Sequence, residues 1–98
     1  MGKYLLRWEL NNALIPTVAK ERGNGFASLM ALVQKDIDKG LTKDWGCFVG
    51  EGRGYCVVEG TEVDISTMVQ QYNPFCKFSS HPVASVDQMN EVFKSMVS

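Results

Sequence analysis

The chain has 98 residues, 45% of them apolar and 21% charged, with a formal net charge of −1. That size suits a single domain over residues 1–98 with one modest core, and the composition excludes a chain that stays disordered. Slight acidity offers no positive field for nucleic acid or anionic lipid, and no apolar run approaches the roughly 20 residues that cross a bilayer, so neither nucleic acid nor a membrane is expected as a partner and a cytoplasmic location is the default.

Lys3 to Leu10 alternates between Tyr4, Leu6, Trp8, Leu10 and the set Leu5, Arg7, Glu9, the period of a strand with one strongly apolar face. Asn11 to Thr17 (NNALIPT) holds turn formers and a proline and predicts a surface loop, although Leu14 and Ile15 are greasy for one. Phe26, Leu29, Met30, Val33 and Ile37 then recur at helical spacing, ending at Lys39 and Gly40, a cationic last turn with a C′ glycine. Thr17 is a candidate cap. Gly23 and Gly25 each weaken a helix by about 1 kcal/mol relative to alanine and predict a break or restart near Asn24.

Trp45 to Gly60 reads WGCFVGEGRGYCVVEG, two apolar runs around a glycine-rich loop, Gly50 to Gly54, which signals a β-hairpin. Strand two is expected over about Thr42 to Val49 and strand three over Gly54 to Glu59. Pairing Val49 with Tyr55 sets Cys47 opposite Val57 and turns Cys56 to the other side. Thr61 caps a second helix, with Asp64 three residues on, and Ile65, Met68, Val69 and Tyr72 form its inward stripe, which stops near Gln71. Phe75 to His81 reads as a fourth strand ended by Pro82. Ser85 with Gln88 opens a short terminal helix whose stripe is Val86, Met89, Val92, Phe93 and Met96.

Two helices on one face of a four-stranded antiparallel sheet, joined by right-handed crossovers, give an α+β, ferredoxin-like βαββαβ fold with strands one and three central. On the expected register both hairpin parities are apolar: Trp45, Cys47, Val49, Tyr55 and Val57 on one side, Phe48, Cys56 and Val58 on the other. A sheet face left to water shows polar outer positions. The helix-free face is therefore expected to meet another sheet, the terminal helix or both, and a homodimer through that face is the leading expectation.

Cys47, Cys56 and Cys76 are odd in number and lack C-x-x-C spacing, which predicts reduced core thiols, no disulfide framework and no metal site. Pleat parity also disfavours a Cys47–Cys56 bridge. No cofactor is expected, since GEGRG precedes a strand and not a helix N-terminus, making it a hairpin tip and not a phosphate loop.

His81, the sole histidine, is the residue best suited to move a proton near neutral pH. Antiparallel pairing of strands one and four puts it beside Lys3 to Leu5 and puts Glu9 near Cys76 or Lys77, roughly 15 Å away. A Glu9–His81 dyad within one chain is thus not expected. Arg7 and Glu9 share a face with Lys77 across from Glu9, and either line a pocket or a dimer seam or form a cross-strand ion pair worth about 0.2 to 1 kcal/mol. Arg53 to Gly60 (RGYCVVEG) partly fits the RNP1 pattern of an RNA-recognition motif, with Tyr55 as a stacking platform and Tyr4 and Trp8 on strand one. Val57 and Gly60 replace its later aromatics, so single-stranded RNA binding stands as an alternative only.

The segments WGCFVGEGRGYCVVEGT from Trp45 and PFCKFSSHPV from Pro74 resemble an uncharacterised family of short prokaryotic proteins in the dimeric α+β barrel superfamily. Its members carry a strand-turn-strand with a Gly-Arg-Gly tip, a downstream helix and a last strand ending in an H-P-V-like sequence. In element order the likeness runs from Lys3 to Val83. It implies a two-sheet homodimer and a pocket for a small organic molecule, for which Trp8, Trp45, Tyr55 and Phe78, with Phe75, are the aromatic candidates. It implies no fixed catalytic residue. The enzymatic version is a cofactor-free isomerase or monooxygenase-like chemistry using Arg7, Glu9 or His81, and the plainer version is a structural or ligand-binding dimer.

Overall fold

The computed structural model describes residues 2–98. In chain order these form β1 (Gly2–Leu10), a 3-10 turn at Asn12–Leu14, α1 (Ala19–Asp38), β2 (Thr42–Cys47), β3 (Arg53–Gly60), α2 (Glu62–Gln70), β4 (Cys76–Val83) and α3 (Val86–Val97). All pairings are antiparallel and the sheet order is β2-β3-β1-β4, so β1 and β3 are central as the sequence predicts. This is the ferredoxin-like α+β arrangement.

Strand alternation sets the two faces. β1 buries Leu6 and Trp8 while Arg7 and Glu9 stay exposed, and β3 buries Gly54, Cys56 and Val58 with Tyr55 and Val57 half-buried on the other side. Leu6, Cys56 and Val58 pack against Val33 of α1, Ile65 and Met68 of α2, and Tyr72 just beyond it. Both capping boxes form: Thr61 accepts from Asp64 N–H at 3.1 Å, and Ser85 accepts from Gln88 N–H at 3.1 Å, with each return bond present. Gly40 follows the last turn of α1 at φ +78, the C′ conformation that favours glycine.

The hairpin register differs from expectation. β2 ends at Cys47, which lies opposite Gly54, and Tyr55 pairs with Gly46 and not with Val49. Phe48 to Glu51 form a tight turn in which Glu51 N–H donates to Phe48 O at 3.0 Å and Gly50 takes φ +78. Of the loop's glycines Gly50 supplies the positive φ, and this centres the turn on Val49–Gly50 and leaves Val49 fully exposed at the tip. A bulge between Thr42 and Asp44 shifts the pairing again. Trp45 and Cys47 consequently join Cys56 on the helix side, and Tyr55 and Val57 face the open side beside Asp44 and Gly46. The parity objection to a Cys47–Cys56 bridge therefore falls, although all three thiols are free, and Cys47 is exposed instead of buried in the core. The open face is also less apolar than predicted.

Three further differences have local causes. α1 is unbroken from Ala19 and Val18 occupies its N-cap without a side-chain bond, so Thr17 is not the cap and the glycines do not interrupt it. In a helix of 20 residues, propagation absorbs a penalty of about 1 kcal/mol per glycine. β4 starts at Cys76, not Phe75, and runs through Pro82, which pairs with Tyr4. An edge strand uses only one side of its ladder and so tolerates a proline. Finally, α3 buries none of its residues, and the radius of gyration is 16.3 Å against about 13 Å for a compact domain of this length. Within one chain the terminal helix does not shield the sheet.

Candidate functional site

α1 packs closely on the sheet only at its C-terminal half, where Val33 and Asp36 are buried. The turns before Val33 stand off, leaving Phe26 and Met30 36% and 44% exposed. Beneath them lies a cavity of about 390 Å³. Trp8, Trp45, Cys56 and Phe78 form the sheet side, Phe26, Leu29, Met30 and Val33 the α1 side, and Met68 and Tyr72 the α2 side. Arg22 and Glu51 are the charged residues on its border.

The floor depends on a missing side chain. Gly54 lies between Trp8 and Cys47 across the ladders, and a Cβ there would stand 2.6 Å from the Trp8 ring and collide with the Gly46 carbonyl. Glycine lets the Trp8 indole lie flat over β3, where it stacks on Trp45 with ring centroids 5.4 Å apart and planes 10° from parallel. Trp8 Nε1–H donates to the Tyr55 carbonyl at 3.3 Å, which fixes the ring's orientation. Tyr72 and Phe78 meet at 5.7 Å with planes tilted 57°.

All three cysteines border this cavity. Burial, with a smaller contribution from the Asp36 carboxylate, pushes the Cys56 thiol up to about 12, and burial raises Cys76 as well. Both are therefore protonated at neutral pH and poor nucleophiles. The Tyr72 phenol is raised by burial and by its hydrogen bond to Asp36 Oδ2 at 2.7 Å. Asp36 is fully buried, and its Oδ1 has no partner among the described residues. Among those residues no group of three His, Cys, Asp or Glu side chains is placed to hold a metal ion.

A second apolar chamber, about 360 Å³, shares Leu10, Ile15, Arg22, Phe26 and Leu29 with the first and continues to Leu14, Pro16 and Phe75. It gives the greasy Leu14 and Ile15 of the loop their role.

On the opposite, open face, Arg7, Glu9 and His81 border one hollow of about 260 Å³, together with Arg53, Lys77 and Ser79. The register sets Glu9 between Arg53 and Lys77 and sets His81 beside Leu5, four residues away along β4, or about 14 Å. Glu9 pairs with Arg53 at 3.6 Å, and Arg53 also reaches Glu51 at 3.7 Å. Among the described residues no side-chain hydrogen bond or ion pair orients the His81 imidazole as a base. Tyr55 lies on this face too. Its O–H donates to Asp44 at 2.9 Å, a bond that raises its pKa, and its ring stacks near Phe48 with centroids 6.4 Å apart.

Of the aromatic candidates, then, Trp8, Trp45 and Phe78 come together in the cavity, Phe75 borders the neighbouring chamber, and Tyr55 stands on the other side of the sheet. Tyr4 and Trp8 share the parity of buried Leu6 and face the helices, which leaves no strand-one aromatic on the open face to extend a base-stacking platform from Tyr55. Sequence reasoning did not single out Arg22 at all, and took Phe26, Leu29 and Met30 for plain core.

Fold and cavity define a small ferredoxin-like α+β domain with an aromatic-floored apolar hollow between α1 and the sheet. The chain belongs to DUF3303, a domain of unknown function, which it matches over residues 3–97. No curated protein matches it.

Proposed function

We propose that the protein binds a small apolar molecule in the cavity between α1 and the sheet, and that two copies associate through their open sheet faces as dimeric α+β barrel proteins do. The observation that carries the binding role is the cavity itself. Its volume of about 390 Å³ lies within the span of about 300 to 1,000 Å³ typical of small-molecule sites. Its apolar lining atoms lack dispersion partners when no ligand fills the space. Trp8, Trp45 and Phe78 hold the ligand by area and ring contact. Tyr55 belongs instead to the dimer seam, with Leu5 and Val57 beside it. Arg7, Glu9 and His81 lie across the sheet from the ligand, so the reading requires no catalysis from them.

Both tryptophans of the chain line the cavity, which makes their emission a selective reporter. Titration with the neutral dye N-phenyl-1-naphthylamine is expected to quench that emission saturably at one dye per chain. Met30→Lys, placing a charge at a partly exposed position on the wall, is expected to weaken binding at least tenfold. Non-saturating quenching that is equal in both proteins would contradict a binding site here.

A further inference from the structure

We infer, on the basis of that binding role, that the natural ligand is an amphiphile with an aliphatic chain and a terminal carboxylate, held by Arg22. Three observations combine. The two chambers share Leu10, Ile15, Arg22, Phe26 and Leu29 as lining, so the apolar space is extended, suiting a flexible chain better than one compact ring system. Among the described residues Arg22 is the only charged side chain that borders both chambers. It is half-buried and forms no ion pair among the described residues, whereas Arg53 is paired twice.

Arg22 is also held in place. Its guanidinium donates to the Pro16 and Thr17 carbonyls at 3.3 and 3.2 Å through one terminal nitrogen. A guanidinium has five N–H donors, so the remaining edge is available for a carboxylate, the partner its planar geometry fits best. A partly desolvated cation set among apolar side chains gains more from such a partner than a solvated one does. Glu51, the other charged border residue, is already engaged by Arg53 at 3.7 Å, which moderates its repulsion of an incoming anion.

Three probes of equal chain length, each kept below its micelle threshold, separate the ligand classes: dodecanoate, dodecanol and dodecylammonium, followed by tryptophan emission. Dodecanoate is expected to bind at least tenfold tighter than either of the others. Arg22→Gln is expected to abolish that preference, and Arg22→Lys to keep a large part of it. Equal affinity for dodecanoate and dodecanol would overturn the carboxylate assignment yet leave the apolar site standing. Absence of binding by all three probes and by the neutral dye would overturn both readings. Dodecanoate binding that appears only in Phe93→Glu would overturn the assignment in favour of α3, the chain's own unpartnered amphipathic helix, as the occupant.

Discussion

Gly54 shows how one absent side chain shapes the site, because the Trp8 ring and the Gly46 carbonyl occupy the space a Cβ would need. Gly54→Ala is expected to lower stability by more than about 2 kcal/mol, since backbone and ring must both move. Gly52→Ala, whose Cβ would meet only Leu10 at 3.6 Å, is expected to be nearly neutral. Urea unfolding of the two variants makes the comparison. The buried thiol and phenol give a second test. Cys56 and Tyr72 both hold their protons more tightly folded than unfolded. The stability Cys56 contributes is complete below the ordinary thiol value of 9.0 and is lost as pH climbs towards about 12, while the Tyr72 share starts to be lost only above the ordinary phenol value of 10.0. The urea midpoint is thus expected to fall with rising pH from about 9 upward, and Cys56→Val to make that fall shallower. A midpoint that rises with alkaline pH would contradict the burial of these groups. Asp36 adds to this cluster: Tyr72→Phe leaves the carboxylate without any partner and is expected to cost about 1 to 3 kcal/mol, measured in the same assay.

Elements defined by local chemistry were legible in the sequence. Thr61–Asp64 and Ser85–Gln88 declared their helix starts because a capping box is closed within four residues, and the alternation of β1 declared both of its faces. The hairpin register was not legible, because three glycines offered competing turn centres and the bulge near Lys43 leaves no mark in the residue pattern. Nor was the cavity. The stripe Phe26, Leu29, Met30, Val33 specifies which side of α1 faces inward, but periodicity carries no information on how far that side stands from the strands. Gly23 and Gly25 suggested a break that the helix does not show, and nothing lies within 4 Å of a Cβ at either position. Alanine at each is therefore expected to stabilise the protein by about 0.5 to 1 kcal/mol, read from thermal or urea unfolding. A loss of stability instead would mean that this stretch of α1 is covered in the assembled protein.

At the scale of the molecule, the open face carries Leu5, Tyr55, Val57 and Val83 among Lys3, Arg7, Glu9 and Lys77. Such a mixture of apolar side chains with both signs of charge suits a two-fold seam, in which one patch must complement itself. Sedimentation of the wild type is expected to give a dimer at tens of micromolar and Val57→Lys a monomer, and a wild type that remains monomeric at high micromolar concentration would contradict the association. The binding role is tested most directly by native mass spectrometry of the protein purified without denaturation and then exposed to the neutral dye N-phenyl-1-naphthylamine. Each 10.9 kDa chain is expected to carry one added molecule that is released on denaturation and is missing from Met30→Lys. Bare chains in both proteins would contradict it.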